Sequence, residues 1–266
     1  MSKGSRQSEQ ARAKIVRMRA EEARRRRRRL WLGGIGAAVL LIAAGVGISL
    51  AVSGGGASSG ASGGSASHGG TPHLQLASLS TLGPLRPALP PGPAGPEGVP
   101  VPAAAPLAGL ASAATGQPVD QIRCGTSEQT VFHIHTHLTI VVHGSARQVP
   151  ASIGIPGGRL QNSQQGPFIG SGTCFYWLHT HAADGIIHIE SPVQRTYTLG
   201  EFFDEWGQPL GPDQVGPVTG PVTALYNGQV YRGNPRDIPL TAQAQIQLEV
   251  GRPLTAPQHI TFPSGL

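Results

Sequence analysis

Seven of the chain's ten histidines fall between residues 133 and 188, in two short groups. The first group is VFHIHTHLTIVVHG, from Val131 to Gly144. Read with the two-residue period of a strand, His133, His135, His137 and His143 share one face. Phe132, Ile134, Leu138, Ile140 and Val142 share the other, which supplies a core face. The second group, CFYWLHTHAADGIIHIES, runs from Cys174 to Ser191. Here His179 and His181 alternate with Leu178 and Thr180, and Asp184-Gly185 signals a turn before a return strand over Ile186–Glu190. A loop of Ala182–Gly185 sets His179 opposite His188, whereas a two-residue loop sets His181 there and His179 opposite Glu190. Either register leaves His179, His181 and His188 on a single face.

Such a face suits a metal ion. Same-face neighbours on a strand are close enough to chelate one ion, and a partner strand can add a third imidazole. Three histidines with an open position form a catalytic zinc arrangement, and imidazole also suits Cu(II). A straight strand carries His133 and His137 about 13 Å apart, so one ion cannot take the whole first group. The expected ligands are therefore drawn from His133, His135, His137, His179, His181 and His188, with Glu190 as a partner that orients a histidine. The competing reading is a polar face in which the histidines bond to one another, to Glu190 and to water. Trp177, on the histidine face by alternation, lines a pocket or packs in the core.

Several motifs come near and fail. A cupin site needs Glu four or five residues beyond His-X-His, where Gly185 and Ile186 stand. The metallo-β-lactamase pattern needs Asp at Ala183, with a histidine following it. LHTHAADG resembles the opening of the polymerase-and-histidinol-phosphatase family. Those (β/α) barrels begin with the motif, whereas only about 85 residues, with little helical pattern, follow it here. Blue-copper sites usually use Met, and the only methionines are Met1 and Met18.

The elements that must hold these residues read as mainly β. TALYNGQVYRG predicts a hairpin around Asn227-Gly228. AQAQIQLEV alternates Ala244, Ile246, Leu248 and Val250 with Gln243, Gln245, Gln247 and Glu249, as a half-buried antiparallel strand does. One helix breaks the pattern over about 198–207. Thr198 and Glu201 form a capping box, Leu199, Phe202, Phe203 and Trp206 follow at helical spacing, and Gly207 ends it. Its aromatic cluster reads as a plug at one end of a β core in preference to a ligand groove. The expected fold is an antiparallel β-sandwich-like domain over 119–266. Cys124 and Cys174 each precede a histidine-bearing strand. A disulfide between them, closing a loop of about 50 residues, is expected over metal thiolates.

The remainder of the chain sets location. Residues 1–29 carry twelve Lys/Arg against three Glu, a net +9, and everything after them carries eight Arg against eleven Asp/Glu, a net −3. The overall +6 thus belongs to the tail and does not imply nucleic-acid binding. Six arginines, Arg24–Arg29, run into the uncharged stretch 30–52. As a helix that stretch spans about 34 Å, enough for a bilayer core, and the arginines keep the N-terminus cytoplasmic. A cleaved signal peptide would need a shorter n-region and apolar run. Residues 53–118 are Gly/Ser-rich, then Pro/Ala-rich, and read as a disordered tether in which His68 and His73 are solvated.

The strings HIHTHL, CFYWLHTHAADGIIHIESP and YTLGEFFDEWGQPL resemble a group of exported and membrane-anchored bacterial and archaeal proteins. The resemblance covers most of residues 124–250 and implies one coherent domain without naming a reaction. The functional expectation is a single-pass, extracytoplasmic protein that binds Zn or Cu(II) for capture, buffering or sensing. A three-histidine zinc hydrolase or hydratase is the alternative, followed by a metal-free, pH-responsive interaction module.

Overall fold

The computed structural model describes residues 74–110 and 114–266. The basic tail, the apolar stretch 30–52, His68 and His73 lie outside the described residues. No helix among the described residues is long and apolar enough to cross a membrane.

The described residues form a mainly β fold with several antiparallel sheets and one α-helix, consistent with a β-sandwich-like domain. In chain order the first strands are β1 (Leu76–Ala77), β2 (Phe132–Val142), β3 (Ser145–Arg147), β4 (Arg159–Ser163) and β5 (Gly166–Ser171). Next come β6 (Leu178–His179), β7 (Ile186–Ser191), β8 (Tyr197–Thr198), the helix Leu199–Trp206, β9 (Leu210–Gly211), β10 (Gln214–Val215) and β11 (Val218–Thr219). The last are β12 (Val222–Tyr226), β13 (Gln229–Tyr231), β14 (Pro239–Leu240) and β15 (Gln245–Val250). The largest sheet runs β1-β13-β12-β15-β2-β7-β6, with β3 also paired to β2.

Strand β2 is the axis of this sheet. Along one edge its first half pairs antiparallel with β7 and its last three residues pair with β3. Along the other edge its second half pairs with β15. That last pairing is parallel, which corrects the purely antiparallel expectation: alternation identifies a buried face but not the direction of a neighbour. The Asn227-Gly228 hairpin forms as expected, with both residues at positive φ and Tyr226 facing Gln229.

The apolar face follows the alternation of β2. Leu138, Ile140 and Val142 join Ile187 and Ile189 of β7, Leu178 of β6 and Ile246 and Leu248 of β15 in one core. The helix closes this core. Thr198 Oγ1 accepts from Glu201 N–H, the Glu201 carboxylate accepts from Thr198 N–H, and Leu199, Phe202, Phe203 and Trp206 are fully buried. Trp177 is partly buried against the same core, its ring edge-on to Tyr197 at 6.4 Å, and also lines a surface pocket with Asp120, Val193, Arg195 and Glu201, so both expected placements are met.

The opposite face is covered as well, which differs from the half-exposed strand expected for β15. Gln247 and Glu249 are only 3% and 2% exposed. Residues 255–260 lie across them: Thr255 N–H donates to the Glu249 carboxylate, Gln258 N–H to Gln247 Oε1 and Ile260 N–H to Gln245 Oε1. A second strap comes from the Pro-rich stretch. Arg86 N–H donates to Leu254 O, Gln258 Nε2 donates to Leu89 O, and Gln148 ties down residues 102–107. The tether boundary at residue 118 is therefore corrected, because residues 74–110 pack on the sheet. Backbone carbonyls of an extended strap satisfy buried amides without the apolar periodicity that marks a strand.

Candidate metal centre

Cross-strand register builds the site. His135 of β2 faces His188 of β7, which faces His179 of β6, so three imidazoles stand in one row across three strands. In the adjoining row His133 faces Glu190. Strands lie about 4.8 Å apart, so side chains in one row converge. The four-residue loop Ala182–Gly185 thus sets the hairpin register. Gly185, at φ +86, has no room for a Cβ, which would stand 2.4 Å from Leu138 O.

The nitrogens meet closely. His135 Nε2 lies 3.1 Å from both His133 Nε2 and His188 Nδ1. Glu190 Oε1 lies 3.1 Å from His133 Nε2 and 3.3 Å from His188 Nδ1. On the other side of the row, His179 Nε2 is 3.2 Å from His181 Nε2. These donor atoms form two overlapping sets that could hold a metal ion, His133/His135/His188/Glu190 and His179/His181/His188/Glu190. Within each set all donor atoms lie within 4.8 Å of one another. An ion bonded at about 2.0–2.1 Å in a tetrahedron has ligand atoms about 3.3–3.4 Å apart, close to the contacts seen here.

The surroundings orient these rings. His179 Nδ1–H donates to Tyr176 O at 2.8 Å, and His181 Nδ1–H donates to Ile169 O. Each neutral ring then turns an Nε2 lone pair toward the other. The gap of 3.2 Å admits no water, and two acceptors cannot bond without a cation between them. A shared proton is opposed by burial, which pushes His179 well below the usual histidine value and His181 down to about 4. Phe168, on β5, stacks on the His181 ring at 4.8 Å, and Phe175 stands edge-on to His179 at 5.8 Å. The segment 152–154 braces β6 from behind, exchanging backbone hydrogen bonds with Tyr176 and Thr180. Gly154, at φ +68, lies so close that a Cβ would meet Leu178 O at 2.2 Å.

His188 differs from its neighbours. Burial pulls its pKa down, but Glu97 and Glu190 outweigh burial and carry it up to about 10. Its Nε2–H donates to Glu97 Oε1 at 2.8 Å. A carboxylate holding the far nitrogen of a ligating histidine fixes the ring and raises its basicity. Burial also pushes His135 down to about 2, and burial followed by the Glu97 charge pushes Asp184 up to about 7. Glu190 Oε2 is buried and makes no hydrogen bond within the described residues, while Asp184, in its protonated form, donates to the Glu97 carboxylate beside it. A buried carboxylate oxygen without a hydrogen bond is costly unless a cation reaches it.

Five of the six expected ligands, together with Glu190, are gathered here, and one is not. His137 donates from Nε2 to Asp184 O at 2.9 Å and belongs to neither set. It sits opposite Ile186, one row beyond the cluster, where the turn carbonyl takes its ring. His143 also leaves the expected face: at φ 49 it begins the exposed turn after β2. Glu190, expected beside the ion as a histidine's partner or a proton acceptor, instead has its carboxylate among the donor atoms. The orienting part belongs to Glu97, which the sequence reading placed in the tether. The signal available was that Glu97 is the one charged residue between Arg86 and Asp120. Glu128, also not anticipated, brings Oε1 to 3.4 Å from His181 Nε2 at the exposed rim.

The disulfide Cys124–Cys174 forms, with its Cα atoms 5.5 Å apart. Beside it Gly125 and Phe175 exchange two backbone hydrogen bonds, so the bridge pins the segment carrying Glu128 to the one leading into β6. No protein-family model, curated protein or solved structure matches this chain, so the reading of the centre rests on its own geometry.

Proposed function

We propose that this domain binds a divalent transition-metal ion, Zn or Cu(II), and serves metal capture, buffering or sensing on the outer side of a membrane. One observation carries the metal reading: two buried, backbone-locked histidines, His179 and His181, turn unprotonated nitrogens toward each other at 3.2 Å. Imidazole nitrogens suit Zn and Cu(II) alike, and no free Cys or Met donor stands at the site among the described residues, which favours these over Cu(I). Each donor set offers four protein atoms, which supports binding over catalysis, since a hydrolytic zinc keeps a position for water. The anchor at 30–52, the cytoplasmic tail and the outward placement of the domain rest on the charge and hydropathy pattern of the sequence.

The test is to purify the full chain without a histidine tag and count bound metals by mass spectrometry, beside a His179→Ala/His181→Ala variant. Zinc or copper bound by the wild type and lost from the folded variant is the expected result. A folded wild type that takes up neither ion, even after incubation with both, overturns the proposal.

A further inference from the structure

We infer that the centre is built for two ions rather than one, with the Glu190 carboxylate bridging them. This rests on the metal reading above and extends it. The first set closes into a ring of donor atoms: His133 Nε2 to His135 Nε2 at 3.1 Å, His135 Nε2 to His188 Nδ1 at 3.1 Å, His188 Nδ1 to Glu190 Oε1 at 3.3 Å, and Glu190 Oε1 back to His133 Nε2 at 3.1 Å. These four contacts lie near the edge of a tetrahedron around one ion of the usual bond length, about 3.3 Å, and the two remaining edges stay within 4.8 Å. That ion is then complete without His179 or His181. Yet these two form their own convergent pair, with both far nitrogens bonded to backbone carbonyls.

The two sets share His188 and Glu190. A histidine bridges two ions only by using both ring nitrogens, and His188 Nε2 is already held by Glu97 at 2.8 Å. A carboxylate bridges with one oxygen to each ion. Glu190 Oε1 belongs to the first ring, and Glu190 Oε2 is buried without a hydrogen bond. Oε2 is therefore the oxygen left for the ion of the His179/His181 pair, with Glu128 at the rim 3.4 Å from His181 Nε2. Charge points the same way. Glu97, Glu128 and Glu190 gather at this cluster, and the ion pairs they make among the described residues all run to histidines. Three carboxylates carry more charge than one divalent ion balances.

The experiment uses the full chain without a histidine tag, stripped by a chelator, loaded with Zn or Cu(II), and gel-filtered to remove ions from isolated surface histidines. Two equivalents per chain are expected, falling to one in His133→Ala and to one in His179→Ala. Bridged copper ions about 3.5–4 Å apart couple magnetically, so the electron-spin count of the wild type should fall well below its copper count. That measurement needs no substitution and stands even where a variant does not fold. One equivalent in the wild type overturns the two-ion inference and leaves the metal reading intact. No equivalents overturn both. Two equivalents with a full, uncoupled spin count overturn the Glu190 bridge.

Discussion

On one face of β2 lie Leu138 and Ile140, closed over by Phe202, Phe203 and Trp206; on the other lie His135 and, one strand further, His188. Both faces are buried from His135 to Val142, the half-buried Thr139 excepted, and at His188, while His133, its side chain 34% exposed, stands at the edge. The apolar face is complete in itself, because every side chain there gains by burial and none needs a partner of a particular charge. The histidine face is buried but incomplete, with facing acceptors and an unsatisfied carboxylate oxygen. Burial that stabilises one face is a cost on the other, and a cation offsets that cost. The side that stabilises the fold and the side that gathers the candidate metal donors thus lie opposite each other on the same strands.

The largest expected effect separates the two faces most sharply. Phe203→Ala, which empties a fully buried position, should cost about 3–5 kcal/mol, read by denaturant unfolding, and leave metal stoichiometry unchanged in the molecules that remain folded. Removing the disulfide by Cys124→Ser/Cys174→Ser comes next, at about 4 kcal/mol for a loop of 50 residues in the chain-entropy model. It should also loosen the Glu128 segment, so metal affinity should fall together with stability.

Adding zinc should raise the stability of the stripped wild type by about 2.7 kcal/mol at a free concentration one hundred times the dissociation constant. In His179→Ala/His181→Ala that gain, followed by thermal melting, should shrink or disappear. An equal gain in both proteins would move the binding site off this face. Glu97→Gln should keep the fold and weaken binding by about 10–100-fold, the usual effect of losing a group that orients a ligand. The gentlest probe is pH. Burial holds His181 neutral down to about 4, so protons should not compete for it until well below the ordinary histidine range near 6.5. Metal at the His179/His181 pair should be retained at pH 5.5 and released as the pH falls toward 4. An ion on His188, whose pKa burial lowers but Glu97 and Glu190 carry up to about 10, competes with a proton already at neutral pH. Loss of all metal near 6.5 would show that the His179/His181 pair holds none.

Much of this face was legible before any coordinates. Alternation separated His133 and His135 from Leu138 and Ile140, and the Asp184-Gly185 turn left His179, His181 and His188 together in either register. The helix was legible because its cap, its apolar spacing and its terminal Gly207 all agree. What could not be read depends on long-range neighbours. The parallel pairing of β15 with β2 leaves no trace in a two-residue period. His137 obeys the same alternation as His135, and only the Asp184 carbonyl opposite it removes it from the cluster. Glu97 lies 91 residues from the histidine it holds, in a stretch whose composition resembles a tether. The β4–β5 hairpin, which supplies the Ile169 carbonyl and the Phe168 ring, is almost wholly polar on β4 and offered no core pattern to detect.

The straps that close the polar face have a consequence for how the chain is made. Gln258 meets Leu89 across 169 residues, and Gln245, Gln247 and Glu249 find their backbone partners only in residues 255–260. β15, which brings Ile246, Leu248 and Val250 to the core, directly precedes that strap in the chain. The two sides of the sheet are therefore completed nearly together, when the last strand and the residues behind it meet a segment made long before them.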